Sequence, residues 1–170
     1  MRPPLLRTLL ALLLLSLAGC GFQLRGAYSL PYESIYISAP DYVVIGAGLK
    51  RLIRSNGSTR LAESAKEAQA TFLPTSELRQ ATILSLSSAG RVREKRLTYR
   101  YSFRMVDAKN RDLILPVTVD LFRDISYADS DVLAKTQEED LLWRDMENDL
   151  VQQLMRRIAA TRPQFPTDED

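Results

Sequence analysis

Leu97-Thr-Tyr-Arg-Tyr-Ser-Phe-Arg-Met105 (LTYRYSFRM) reads as a β-strand on its own terms. Its odd positions, Leu97, Tyr99, Tyr101, Phe103 and Met105, are apolar or aromatic, while Thr98, Arg100, Ser102 and Arg104 are polar. A period of two sends these two sets to opposite faces of a sheet. Asp107–Asp112 (DAKNRD) follows as a polar turn, after which Leu113, Leu115, Val117, Val119 and Leu121 again share one face. Two alternating runs across such a turn predict an antiparallel hairpin. Pro116 falls on the polar face, so the second strand is expected to have one unpaired edge.

Working outward, Thr71–Ser87 is apolar and rich in strand formers, and Pro74 within it marks an edge or a bulge. Ser34–Ser38 (SIYIS) reads as a first strand. Between the two, Tyr42–Ser55 places Val44, Leu49, Leu52 and Ile53 near one helical face, and Asn56-Gly57 is a stop signal. Thr136–Ala160 predicts a long amphipathic helix with Leu142, Met146, Leu150, Leu154 and Ile158 in an i,i+4 row, joined by Val151 and Met155. Thr136-x-x-Glu139 has the form of a capping box, and Arg156, Arg157 and Arg162 suit the negative end of the dipole before Pro163. The expected fold class is α+β: two helices packed on one face of a roughly four-stranded mixed or antiparallel sheet, the other face partly open. Residues 32–162 form the single domain, and residues 163–170 are an acidic tail that frays.

Residues 1–19 have the parts of a secretory signal. Arg2 and Arg7 make a cationic start, and Leu9–Ala18 (LLALLLLSLA) is a compact apolar run. As a helix that run rises only about 15 Å, half of a bilayer core. Leu17-Ala18-Gly19-Cys20 then matches a bacterial lipobox, so the mature protein is expected to begin at a lipidated Cys20, followed by a linker through residue 31. Two or more acyl chains anchor stably, whereas one binds marginally. Gly21 and Phe22 in place of an aspartate after Cys20 favour the outer membrane, with the domain on its periplasmic side.

The 151 residues from Cys20 to Asp170 make one ordinary domain. The whole chain carries 23 basic and 21 acidic residues, and losing Arg2 and Arg7 balances them at 21 each. A charge near zero argues against a general polyanion binder, nucleic acid included, but leaves room for a local patch. The single cysteine is taken by lipid, so no disulfide or thiol chemistry remains. There is no histidine, which removes His-based acid–base catalysis, Ser-His-Asp triads and nearly every zinc site. Enzymes built only from carboxylates, or from a Ser–Lys pair, stay open on composition; no catalytic residue, metal or cofactor is expected.

Asp41–Lys50 (DYVVIGAGLK) opens like a dinucleotide fingerprint, with Gly46 and Gly48 in place. The third glycine position is Arg51, so a glycine-lightened helix entry is the better reading. Arg91, Arg93, Lys95, Arg96, Arg100 and Arg104 lie in one basic stretch with a single acid, Glu94. Such a stretch is either a solvated edge or an anion site. Arg100 and Arg104 project the same way about 13 Å apart on one strand face, and the polyanion of this compartment is a phosphorylated lipid headgroup. Lys135, before the capping box, either pairs with Glu138 or Glu139 or bridges a phosphate to the helix N-terminus. Glu138, Glu139, Asp140, Asp145 and Asp149 share one helix and read as its solvated face, not as a glycosidase pair held across a cleft.

Cys20-Gly21-Phe22-Gln23-Leu24-Arg25-Gly26, directly after a lipobox, resembles the start of the lipopolysaccharide-assembly lipoproteins of the LptE family. The likeness continues through the Tyr-rich strand, Val117–Arg123, Leu133-Ala134-Lys135 and the final helix. The resemblance implies two helices on a four-strand sheet, seated as a plug in a large outer-membrane β-barrel of the LptD type, helping that barrel fold and placing lipopolysaccharide in the outer leaflet. It also implies two basic lipopolysaccharide-binding residues. One falls on Lys135; the other lies in the loop before the Tyr-rich strand, where Arg91 or Arg93 is the nearest counterpart. The function expected is thus a non-enzymatic, lipid-anchored lipoprotein that binds a barrel and lipopolysaccharide through Arg91, Arg93, Lys135, Arg100 and Arg104. The alternatives are an accessory lipoprotein of another envelope machine, such as barrel assembly, and a carboxylate-dependent cell-wall hydrolase.

Overall fold

A computed structural model of the chain describes residues 29–127 and 132–163. The expected signal, the lipidated Cys20, the linker as far as Tyr28 and the tail from Gln164 lie outside the described residues. In chain order the elements are β1 (Ser34–Ile37), α1 (Val44–Asn56), β2 (Arg60–Leu61), a short 3-10 turn (Ala65–Glu67), β3 (Ala70–Leu86), β4 (Val92–Val106), β5 (Asp112–Ser126) and α2 (Val132–Ala160). The sheet runs β2-β1-β3-β4-β5, with β1 parallel to both its neighbours and β3, β4 and β5 forming an antiparallel meander. The fold is α+β as expected, with five strands instead of about four. The extra strand, β2, is two residues long, too short for any period to show.

The alternation of β4 sets the core. Leu97, Tyr99, Tyr101, Phe103 and Met105 are all buried, and α1 and α2 pack on that face. Tyr99 lies opposite Leu121, Tyr101 opposite Val119 and Phe103 opposite Val117. On the other flank Phe72 of β3 stacks on Phe103 with ring centroids 4.9 Å apart. Both prolines sit at irregularities. The β3–β4 register shifts between Pro74 and Ser76, and β5, carrying Pro116, is one of the sheet's two edge strands. One expectation fails here: Leu115 is 73% exposed. Between Phe103 and Met105 the register slips so that Ile114, not Leu115, faces Met105, and the bulge turns Leu115 outward.

In α2 the expected row is buried from Met146 to Ile158, with Val151 and Met155, and Leu142 half-buried at its start. The capping box does not form. The helix begins four residues earlier, at Val132, so Thr136 lies inside it, and Glu139 reaches across to the sheet. In α1 the buried set is Ile45, Leu49 and Ile53, while Val44 is half exposed: the inward stripe begins one residue later than its pattern indicated. Gly57, at φ 69°, ends the helix in the left-handed conformation that glycine adopts freely.

The two glycines of the false fingerprint are packing residues. A Cβ on Gly46 would lie 2.7 Å from Ala39 Cβ, and one on Gly48 would lie 2.8 Å from Val151 Cγ2. Gly48 therefore lets α1 and α2 approach. Gly48→Val is expected to cost about 1–3 kcal/mol by overpacking, read as a lowered unfolding midpoint. Adding Val151→Ala should recover part of that loss; no recovery would show that the glycine serves something other than helix contact.

The turn between β4 and β5 is closed by Asp107. Its Oδ1 accepts from the Lys109 and Arg111 backbone N–H groups, both at 2.8 Å, and Oδ2 accepts from Arg111 Nε at 2.7 Å. Asn110 takes the left-handed position, φ 61°. Burial alone would raise the Asp107 carboxyl, but these hydrogen bonds and the Arg111 charge outweigh it and hold the group below the usual aspartate range. A depressed carboxyl stabilises the fold above its unfolded pKa of about 3.9, and that contribution disappears as pH falls through the folded value. Asp107→Asn is expected to cost about 1–2 kcal/mol at neutral pH. In acid the two proteins' denaturant midpoints should converge. A constant gap down to pH 2 would refute the ionised cap.

Candidate functional site

The β3–β4 connection is a tight turn. Arg91 O accepts from the Ser87 N–H at 2.7 Å, Ser87 O accepts from Gly90 N–H at 2.9 Å, and Ser87 Oγ accepts from Arg91 N–H at 3.1 Å. It leaves Arg91 at the turn's exit and Arg93 early in β4, both exposed. Beyond the end of β5, Tyr127 N–H donates to Arg93 O at 2.8 Å. The Tyr127 hydroxyl donates to Glu139 Oε2 at 2.9 Å, and Lys95 Nζ donates to the same oxygen at 2.7 Å. Burial would raise Glu139, but the Lys95 and Tyr127 hydrogen bonds prevail and keep it ionised below the usual glutamate range. Glu139 lies one turn after Lys135. This network brings the hairpin tip, the end of β5 and the first turns of α2 to one end of the domain, the end whose elements bear Arg91, Arg93 and Lys135. Lys135 pairs with Glu138 at 2.6 Å, an i,i+3 pair with both partners partly exposed. Such a pair is worth less than about 1 kcal/mol.

Arg100 and Arg104 are not part of this end. They lie on the sheet face that no helix covers, with Arg104 about 36 Å along β4 from Arg93. There the cations are matched by β5 acids: Arg96 to Asp124 through two 2.8 Å hydrogen bonds, Arg100 to Asp120 at 2.6 Å, and Arg104 to Asp112 at 3.1 Å. Arg96 also lies 4.8 Å from the centre of the Phe122 ring. The outer face is a ladder of alternating charge, not a cationic strip.

Asp140 and Asp145 are exposed as expected, whereas Glu139 and Asp149 are less solvated than their pattern indicated. Arg79, Lys95 and Arg123 point from the sheet toward α2. Lys95 takes Glu139, and Arg123 reaches Asp145 and Asp149, both at 3.3 Å. Arg79 bonds Glu147, which is 9% exposed, and stacks over Tyr99 at 4.6 Å and near Trp143 at 5.8 Å. The signal was present: Lys95 is in phase with Leu97, and Arg123 with Leu121. Two carboxylates from separate elements, Glu77 and Glu147, do converge, but the Arg79 guanidinium fills the space between them. A glycosidase needs that space for its substrate and water. Among the described residues no group of His, Cys, Asp and Glu is arranged to hold a metal ion.

With this geometry in view, comparison with known proteins is informative. Residues 32–158 match the model of the LptE family, described as lipopolysaccharide-assembly. The LPS-assembly lipoprotein LptE of Photorhabdus laumondii is 29% identical over 165 residues, covering 95% of this chain and 84% of that protein. LptE of Yersinia pestis is 27% identical, covering 94% and 78%. The solution NMR structure of lipoprotein B from Nitrosomonas europaea shares 40% identity and superposes with a TM-score of 0.70, covering 82% of this chain and 91% of the other. A match through nearly the whole described domain, on a fold with the same layers, places the chain in the LptE lipopolysaccharide-assembly family.

Proposed function

We propose that this chain is a non-enzymatic lipoprotein anchored through Cys20 to the periplasmic side of the outer membrane. There it seats in and helps assemble a large β-barrel of the LptD type, and binds lipopolysaccharide on its way to the outer leaflet. The observation that supports the reading is that the hairpin tip bearing Arg91 and Arg93 and the first turn of α2 bearing Lys135 lie at one end of a domain of this family. Guanidinium forks and an ammonium near a helix start suit lipid A phosphates. The Lys135–Glu138 pair is weak enough for a phosphate to displace. Of the five expected cations, Arg91, Arg93 and Lys135 form the primary site. Arg100 and Arg104 contribute only if phosphate replaces Asp120 or Asp112.

Binding of the full-length chain to lipopolysaccharide, compared with lipopolysaccharide stripped of its lipid A phosphates, tests the phosphate contact. Weaker binding after stripping, with the difference shrinking as salt rises, is the expected result. Equal affinity for both forms would remove phosphate from the mechanism.

A further inference from the structure

The arginines of this chain are partnered unevenly. On the open sheet face Arg96, Arg100 and Arg104 each have a β5 acid, and in the first half of α2 the acids Glu138, Glu139, Asp145, Glu147 and Asp149 are all engaged. α1 contains no acid, and α2 contains none after Asp149. Arg51 and Arg54 of α1 and Arg156 and Arg157 of α2 are exposed, and among the described residues none of the four forms an ion pair. The helix dipole favours cations in these last turns, and it leaves their guanidinium forks open to an outside anion.

Topology puts these four residues toward the end where the chain enters the domain. α1 joins two parallel strands, so it runs back against β1 and ends beside β2, where Arg60 N–H donates to Glu33 O at 2.9 Å and Thr59 Oγ donates to Tyr32 O at 2.8 Å. α2 crosses the sheet in the same direction. From Glu139, bonded to Lys95, it rises about 30 Å to Ala160. That is the distance along β4 from Lys95 to about Met105, which pairs with Phe72 beside Ile37. Gly48 against Val151 keeps the two helices in step. Leu30 and Tyr32 are buried, so the entry is fixed, and residues 21–28 span at most about 30 Å between it and Cys20. The hairpin tip lies at the other end, with Arg93 about 43 Å along β4 from Val106. The exposed acids Glu33 and Glu67 share the entry end, but neither pairs with the four arginines.

We infer that Arg51, Arg54, Arg156 and Arg157 dock on the anionic phospholipid headgroups of the leaflet that holds the Cys20 anchor, an inference that rests on the lipid-anchor reading above. Guanidinium forks take phosphate oxygens in pairs. Acyl chains and a basic surface reinforce each other, because the anchor keeps the cations within reach of the headgroups. Docked in this way, the domain directs its hairpin tip, with Arg91 and Arg93, away from that leaflet. Asp168, Glu169 and Asp170 follow α2 in the chain and are the competing occupant.

The mature acylated chain, inserted into vesicles that carry a headgroup spin label, provides the test. With Cys20 acylated, Ser55→Cys or Ser88→Cys supplies a single thiol for a fluorescent dye, the first beside the arginines of α1 and the second in the hairpin turn; both serines are exposed. Quenching at position 55 should be at least about threefold stronger in vesicles containing phosphatidylglycerol than in phosphatidylcholine alone, and position 88 should show no such difference. Salt at about 1 M, with a screening length of about 3 Å, should abolish the difference. So should Arg51→Glu and Arg54→Glu combined with Arg156→Glu and Arg157→Glu, thermal unfolding showing that this variant folds. The lipid and salt comparisons need no substitution of these arginines. Equal quenching in the two kinds of vesicle, in a chain whose mass includes the acyl groups, overturns the inference and leaves the anchor standing. A difference that appears only after Asp168→Asn, Glu169→Gln and Asp170→Asn means that the tail holds the arginines, and also overturns it. A chain whose mass lacks acyl groups ends the anchor reading and the inference with it.

Discussion

Phe103→Ala will lower the free energy of unfolding by about 3–5 kcal/mol, the range for deleting a buried aromatic side chain. Phe103 is fully buried in the middle of β4. It stacks on Phe72 and faces Pro74 on one flank and Val117 on the other. Surrounding strands hold these neighbours in register, so the space left behind closes little. Natural domains have only about 5–15 kcal/mol in total, so the variant should be near the limit of folding. Phe122, on the outer face and 59% exposed, is the internal comparison. Phe122→Ala should cost less than about 1 kcal/mol. Urea midpoints for the two variants decide the matter, and similar losses would mean that the inner and outer faces of β4 and β5 are misassigned.

The second large effect concerns binding. Replacing Arg91, Arg93 and Lys135 together by glutamate removes three cations and adds three anions at one end of the domain. A cation near a phosphorylated lipid surface is worth about 1 kcal/mol. The loss should therefore be about 3 kcal/mol or more, roughly a hundredfold in affinity at low ionic strength. The screening length falls from about 30 Å at 0.01 M to about 8 Å at 0.15 M salt, so the gap should narrow as salt rises. Folding should be nearly untouched, because Arg91 and Arg93 are exposed and an acid in the first turn of α2 suits the helix dipole. The paired reversal Arg100→Glu with Arg104→Glu should weaken binding far less, since Asp120 and Asp112 already cancel those charges. An unchanged affinity for the triple variant at both salt levels would end the case for a phosphate site.

The sequence made local periodicity easy to read and long-range placement hard. Five alternate residues of β4 marked the core face without help, and Pro74 and Pro116 each pointed to a real irregularity or edge. Leu115 was misplaced because a bulge inserts a residue without any compositional mark; a second irregularity beyond it returns Leu113 to the core face. Val44 for Ile45 is a phase error of one residue, small for a helix whose inward stripe includes glycine. The capping box was a coincidence of spacing: Glu139 is held by Lys95 and Tyr127, which only the packing of α2 over β4 brings near. The partners of Arg96 and Arg100 were within reach of the sequence. A hairpin centred on Asn110 pairs 96 with 124 and 100 with 120, as the register has it. Knowing that, the outer-face arginines would have been read as half of a cross-strand ladder from the start. That the hairpin tip and the start of α2 share one end of the domain depends on where α2 begins relative to the hairpin, which no local pattern encodes.

The most direct measurement of the functional reading is co-purification. With the chain tagged after Asp170 and outer membranes extracted in mild detergent, a single large β-barrel should remain bound at one-to-one stoichiometry through a stringent wash. Recovery of the chain alone, or within an assembly of several lipoproteins, would contradict a plug-and-barrel role while leaving the family match in place.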